Sequence, residues 1–91
     1  MRILAVCGMG IGTSIMLKGN AEKAARDLGL DADVEVADIG TARGAATTAD
    51  VVLTSGELAA EIGDVGIPVV VVDNFVDGDE VRRKLSTAIG R

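Results

Sequence analysis

The chain has 91 residues, of which 48% are hydrophobic and 25% are charged, a composition typical of a globular protein with a single small core. Its net charge of −5 and the lack of any basic cluster argue against binding to nucleic acid or to an anionic membrane surface. One cysteine and no histidine exclude an internal disulfide framework and a Cys/His metal site, so we expect no metal and no other cofactor. We expect residues 1–91 to form one domain.

The amino-terminal residues do not have the pattern of a leader or an anchor. Six residues precede Cys7, and their apolar stretch is too short for a signal peptide. No window reaches the roughly 18 apolar residues that a membrane span needs. We therefore expect a soluble protein of the reducing cytoplasm.

Four apolar runs rich in β-branched residues predict four β-strands. They are ILAV at 3–6, VEVADI at 34–39, VVLT at 51–54 and VVVV at 69–72. Segments with helical spacing separate them, which predicts the order β-α-β-α-β-α-β-α. The segment GTARGAATTAD at 40–50 suits either one short helical turn or a loop, and its conformation stays open.

The other segments between and after the strands predict helices at about 14–28, 57–63 and 78–90. One apolar face of the first helix comprises Leu17, Ala21, Ala24 and Leu28. Thr13 or Ser14 is its expected N-cap, and Gly29 is its expected C-terminal stop. Asp77 or Asp79 can cap the start of the last helix.

The order of the elements predicts the topology of the sheet. Strands without polar alternation are buried on both faces, and right-handed helical crossovers join parallel strands. We expect a three-layer α/β fold, a four-stranded parallel sheet of order 2-1-3-4 flanked by helices, of the flavodoxin-like or Rossmann-like kind. In this order a crevice opens at the carboxyl ends of strands 1 and 3, where Cys7, Thr54 and Ser55 are expected to lie.

A glycine-rich stretch, CGMGIGTS at 7–14, directly follows the first strand. Its alternating glycines allow backbone N–H groups to curl around an anion, and the start of the next helix adds partial positive charge. Such a field favours the thiolate form of a cysteine, which is the nucleophilic form. A phosphate-sized site centred on Cys7 is one interpretation, and a small buried cysteine beside a glycine-rich turn is the other.

Three known glycine loops fit this stretch poorly. A nucleotide P-loop needs lysine after its last glycine, but Thr13 and Ser14 follow Gly12. The spacing G-x-G-x-G differs from the dinucleotide fingerprint, although Asp38 supplies an acidic residue at the end of the second strand. A cysteine phosphatase or arsenate reductase loop, C-x5-R, needs arginine where Thr13 stands. The loop therefore suits carrying a phosphoryl group better than cleaving phosphate esters.

Three stretches, ILAVCGMGIGTS, ADVVLTSGELAAEI and IPVVVVDNFVDGDEVRRKL, carry a resemblance that spans the whole chain. They resemble the IIB components of the sugar phosphotransferase system (PTS), of the ascorbate/galactitol type with a lactose/cellobiose-like loop. The resemblance implies a four-stranded parallel sheet flanked by helices, with Cys7 as the phosphorylated, catalytic residue. The implied phosphate-binding loop consists of Gly8, Met9, Gly10, Ile11, Gly12, Thr13 and Ser14.

The resemblance also implies partners. A IIA component is expected to donate the phosphoryl group from a phosphohistidine, and a membrane IIC component is expected to present the accepting sugar, with the ascorbate type favoured. The protein is then peripheral to the membrane through IIC. Two other functions stay open: a non-catalytic flavodoxin-like module that binds an anion or regulates, and a cysteine-dependent phosphatase or arsenate reductase, which needs an external thiol.

Several residues near the crevice have two interpretations. Thr54 and Ser55 are possible secondary site residues, although capping of the next helix is the simpler role for Ser55. Arg43 can approach the phosphate or remain a solvated charge. An apolar contact surface for a partner is expected from Met9, Ile11 and Phe75. The sole aromatic residue, Phe75, can equally close the core.

Overall fold

Strands and helices alternate along the chain as predicted, and each apolar β-branched run forms a strand. The structure, a computed structural model, describes residues 1–8 and 11–90, and of residues 11–13 it describes the backbone alone. The elements are β1 (Arg2–Val6), α1 (Ile11–Asp27), β2 (Asp33–Ala37), α2 (Ile39–Ala46), β3 (Val51–Thr54), α3 (Gly56–Ile62), β4 (Val69–Val71) and α4 (Gly78–Ile89). Within the described ranges, no helix combines the length and apolar character needed to cross a membrane.

The four strands form one parallel sheet in the order β2-β1-β3-β4, which is the predicted order. Ala5 in β1 pairs with Val36 of β2 on one side and with Leu53 of β3 on the other. Since β1 and β3 are the central strands, their carboxyl ends meet in the middle of one edge of the sheet. The structure confirms the predicted flavodoxin-like α/β fold.

Alternate residues of β1 enter two separate cores, one on each face of the sheet. Ile3 and Ala5 pack with residues of α1 and α4, whereas Leu4 and Val6 pack with residues of α2 and α3. A strand that is buried on both faces needs apolar residues at every position. This double burial explains why the run ILAV shows no polar alternation.

The start of α1 differs from the prediction. The helix begins at Ile11, so Thr13 and Ser14 lie inside its first turn, and their prediction as N-caps was wrong. The prediction placed Gly12 in the loop because Thr13 or Ser14 was the expected N-cap. A glycine costs a helix only about 1 kcal/mol, which the packing of α1 against the sheet can offset.

Two other helix ends follow their predicted signals. After α1, Gly29 has a φ of 72°, and the N–H of Leu30 donates to the carbonyl of Ala25 at 2.8 Å. This is the arrangement in which a left-handed glycine terminates a helix. Asp77 is the N-cap of α4, because its carboxylate accepts from the N–H of Asp79 at 3.1 Å.

The segment whose conformation the sequence left open folds as α2. Asp38 is its N-cap, and Oδ1 of Asp38 accepts from the backbone N–H of Thr41 at 2.9 Å. The predicted strand at 34–39 was therefore too long, since β2 ends at Ala37 and Ile39 begins the helix. The β-branched Ile39 packs against the core beneath α2 and α3, a burial that a helix provides as well as a strand does.

Candidate functional site

Cys7 directly follows β1 at the carboxyl edge of the sheet. The residue is buried, with 6% of its surface exposed. Its backbone N–H donates to the carbonyl of Ala37 at 3.3 Å, which extends the pairing of β1 with β2. The helices after β1 and β3 pack on opposite faces of the sheet, so Cys7 lies at the switch point of the topology.

The structure describes only part of the predicted phosphate-binding loop. Gly8 is exposed, and a Cβ added to it would lie 3.5 Å from the side chain of Leu58, in ordinary contact. Met9 and Gly10 lie outside the described residues, as do the side chains of residues 11–13. Of the predicted apolar contact surface, the side chains of Met9 and Ile11 therefore lie outside the described residues, whereas Phe75 lies within them.

The first turn of α1 comes immediately after this loop. Residues 11–14 include no acidic side chain, so no local carboxylate offsets the positive end of the helix dipole. The first N–H groups of a helix have no partner within the helix. Ser14 is half-buried in this turn. A helix start of this kind attracts an anion placed at the end of β1.

Thr54, the last residue of β3, connects the ends of three strands beside Cys7. Its side chain is fully buried, and its hydroxyl donates to the carbonyl of Val6 at 3.0 Å. Its own carbonyl accepts from the N–H of Val72 at 2.8 Å. Because the Val6 carbonyl belongs to the peptide that precedes Cys7, Thr54 holds that peptide in place.

A cavity of about 410 Å³ opens beside Cys7. One side consists of the residues after β1 and the start of α3, where Ser55 caps the helix by accepting from the N–H of Leu58 at 3.3 Å. The capping role expected for Ser55 is confirmed. Residues 72–76, in the connection between β4 and α4, form the other side, and we call this segment the cavity wall. The size is comparable with that of small-molecule sites.

Glu80, a carboxylate of α4 that was not predicted as a site residue from the sequence, binds the cavity wall. The residue is 5% exposed. Oε2 accepts from the N–H of Asp73 at 2.7 Å, and Oε1 accepts from the N–H of Asn74 at 2.9 Å. The ammonium of Lys84, one helical turn later, donates to Oε2 at 2.6 Å. The spacing of Glu80 and Lys84 at i,i+4 is the one sequence signal for this arrangement.

The partners of Glu80 strongly favour its charged form. The hydrogen bond from Lys84 is the largest cause that lowers the pKa of Glu80 from 4.5 to about 2, and the N–H groups of Asp73 and Asn74 add to it against the opposing effect of burial. The hydrogen bond to Glu80 in turn raises the pKa of Lys84. Glu80 is therefore ionised at any physiological pH.

Phe75, in the middle of the cavity wall, packs against the core between α1 and α4 and also lines the cavity. Its carbonyl accepts from the side-chain amide of Asn20, in α1, at 2.7 Å. The interpretation that Phe75 closes the core is therefore confirmed. Val76, the next residue, is 53% exposed. Arg43 is an exposed residue of α2 and is not among the described residues that line the cavity.

The parallel sheet and the cysteine at its switch point define a small flavodoxin-like α/β protein with a thiol ahead of its first helix. The chain belongs to the family described as "PTS system, Lactose/Cellobiose specific IIB subunit", which it matches over residues 2–87. The resemblance to IIB components is thereby confirmed. Such components are sugar-specific parts of a phosphotransferase system and work in general with IIA and IIC components.

Similar proteins are found among both sequences and structures. The ascorbate-specific PTS system EIIB component of Mycoplasma pneumoniae is 33% identical over 90 residues, which cover 98% of this chain and 95% of that protein. The solution structure of a cellobiose-specific IIB component from Borrelia burgdorferi is 30% identical, with a TM-score of 0.65 and coverage of 99% and 89% of the two chains. A lactose-specific IIB domain from Streptococcus pneumoniae, 16% identical with a TM-score of 0.63 and coverage of 99% and 91%, shows likeness of fold alone.

Proposed function

We propose that this chain, as a single IIB domain over residues 1–91, carries a phosphoryl group on Cys7. A phosphohistidine of a IIA component donates the group, and a sugar presented by a membrane IIC component accepts it. The protein works in the cytoplasm and meets the membrane through IIC. The observation that carries the proposal is the position of Cys7 at the switch point, ahead of the positive end of α1 and beside a cavity.

In the first step, the thiolate of Cys7 attacks the phosphorus in line with the P–N bond of the phosphohistidine. A P–S bond forms while the P–N bond breaks, and the electron pair of the broken bond goes to the imidazole nitrogen. Backbone N–H groups of residues 8–14 and the hydroxyls of Thr13 and Ser14 stabilise the equatorial oxygens. Thr54 keeps the peptide before Cys7 in position, because its hydroxyl bonds the Val6 carbonyl.

In the second step, a sugar hydroxyl attacks the phosphorus and the P–S bond breaks. The electron pair returns to sulfur, which leaves as the thiolate, and the hydroxyl proton goes to a base on the IIC component. A thiolate is a competent leaving group without protonation, so this chain needs no general acid. This chemistry agrees with Thr13 at the position where a C-x5-R phosphatase has its arginine.

The relatives support an ascorbate-type substrate. The 33% identity to the ascorbate-specific component of Mycoplasma pneumoniae extends over 98% of this chain. Cellobiose is the second candidate, because the structural neighbour from Borrelia burgdorferi is 30% identical and cellobiose-specific.

Membranes of the source cells, supplied with the phosphorylated protein and labelled ascorbate, cellobiose or lactose, distinguish these sugars. We expect the labelled ascorbate to become phosphorylated, and phosphorylation of cellobiose alone would contradict that assignment.

Incubation with a phosphorylated IIA component tests the phosphoryl-carrier function. We expect one phosphoryl group per chain, with the iodine lability of a thiophosphate, and no label on Cys7→Ser. The matched control is Ser14→Ala, which removes one loop hydroxyl but should still take up one group, more slowly. Label on Thr13 or Ser14 would contradict the assignment of Cys7.

The same proteins distinguish the other two functions. If the chain is a non-catalytic anion-binding module, the wild type and Cys7→Ser would bind inorganic phosphate equally well, and neither protein would be labelled. A cysteine-dependent phosphatase would release inorganic phosphate from p-nitrophenyl phosphate, and only the wild type would do so. We expect neither pattern, because the loop has no arginine to stabilise ester hydrolysis.

A further inference from the structure

The cavity wall is held by a hydrogen bond at each of its five positions. The partners come from β3, α1, α4 and the wall itself. The bonds join Val72 N to Thr54 O at 2.8 Å, Asp73 N and Asn74 N to Glu80 at 2.7 and 2.9 Å, Phe75 O to the Asn20 amide at 2.7 Å, and Val76 N to Asn74 Oδ1 at 3.2 Å. A segment bonded in this way has a defined shape before any partner arrives, which lowers the ordering cost of binding.

Glu80 supplies two of these five bonds from one buried carboxylate. The helix that carries it has other anchors, since Asp77 caps α4 and buried Val81 and Leu85 pack in the core with the sheet. Burying an ion pair contributes little net stability compared with apolar residues of similar size. Besides its contribution to stability, a carboxylate at position 80 therefore fixes the conformation of the wall.

We propose that Glu80 is a positioning residue for phosphoryl transfer at Cys7, because it holds the cavity wall in the shape that the phosphohistidine-bearing donor meets. This inference rests on the proposed phosphoryl-carrier function. Cys7 and the wall line the same cavity, so a donor whose imidazole reaches Cys7 also contacts the wall. Without Glu80 the wall samples other conformations, and productive docking of the donor becomes rarer.

Phosphoryl transfer to Glu80→Gln tests this inference. Glutamine keeps the size of the side chain, but only its carbonyl oxygen can accept an N–H of the wall. We expect the KM for the phosphorylated IIA component to rise about tenfold, because the loss of one hydrogen bond to a charged group weakens binding by about that factor. The rate of Cys7 alkylation by iodoacetamide should stay within about twofold of wild type, because the substitution changes the bonds of Asp73 and Asn74 and leaves in place the Thr54 hydroxyl that holds the peptide before Cys7. Asp79→Asn, an exposed change on the same helix, is the matched control and should leave the KM unchanged.

The outcomes separate this inference from the function on which it rests. A wild-type KM for folded Glu80→Gln would overturn the positioning role and leave the function intact. If Glu80→Gln fails to fold, Glu80→Asp takes its place, because it keeps the charge but its shorter side chain cannot reach both N–H groups, and a wild-type KM there would overturn the inference equally. A wild-type protein that takes up no phosphoryl group from the donor would overturn both.

Discussion

The buried carboxylate of Glu80 makes the stability of this protein depend on pH at the acid end. Folding lowers the pKa of Glu80 from 4.5 to about 2, so the folded state binds the proton less readily than the unfolded state. The stabilisation is therefore fully present above pH 4.5 and is lost as the pH falls from 4.5 towards 2. At about 1.4 kcal/mol per pKa unit the shift corresponds to about 3 kcal/mol, and because the side chain of its partner Lys84 is 29% exposed and so screened by solvent, we expect about 2 kcal/mol.

The variant Glu80→Gln removes this titration and keeps the size of the side chain. Urea denaturation of both proteins at a series of pH values gives the difference in their free energies of unfolding. We expect the variant to be about 2 kcal/mol less stable at pH 7, and the difference to decrease below pH 4.5. The other carboxylates titrate in both proteins, so the difference isolates Glu80.

A difference that stays constant from neutral pH down to the acid limit would refute this reasoning. It would show that the variant loses packing or hydrogen-bond geometry rather than the interactions of a charge. Asp79→Asn is the control, since Asp79 is exposed and lies 3.8 Å from Arg82 in a surface ion pair. We expect that change to cost less than about 1 kcal/mol throughout the pH range.

Two further predictions concern the strand ends and the glycines. Thr54→Val leaves the Val6 carbonyl without its buried donor and should lower the free energy of unfolding in urea by about 1 to 3 kcal/mol, whereas an unchanged value would contradict the role of the hydroxyl. Gly29→Ala places a side chain at a φ of 72° and should cost about 1 to 2 kcal/mol. Gly8→Ala, whose Cβ would lie 3.5 Å from Leu58, should leave the Tm unchanged, and equal losses for the two alanine variants would contradict the strain at Gly29.

Much of the fold could be predicted from local patterns. The runs ILAV and VVLT have no polar alternation because β1 and β3 are covered on both faces, and this requirement leads to a parallel sheet with helical crossovers. The position of Cys7 at the switch point follows from the strand order alone. Boundaries were less predictable: Ile39 begins α2 because Asp38 caps the helix there, although both residues also suit the end of a strand.

The sequence by itself determined the fold class, the place of Cys7 and the family, because periodicity, glycine spacing and cysteine position are properties of neighbouring residues. Only the tertiary structure decided how the cavity beside Cys7 is built. Asn20 and Phe75 are 55 residues apart in the chain, and Thr54 is 48 residues from Val6. Each of these bonds, like those from the cavity wall to Glu80, joins a side chain to a backbone group. Every residue except proline has a backbone N–H, and every residue has a carbonyl, so the partner leaves no mark in the sequence.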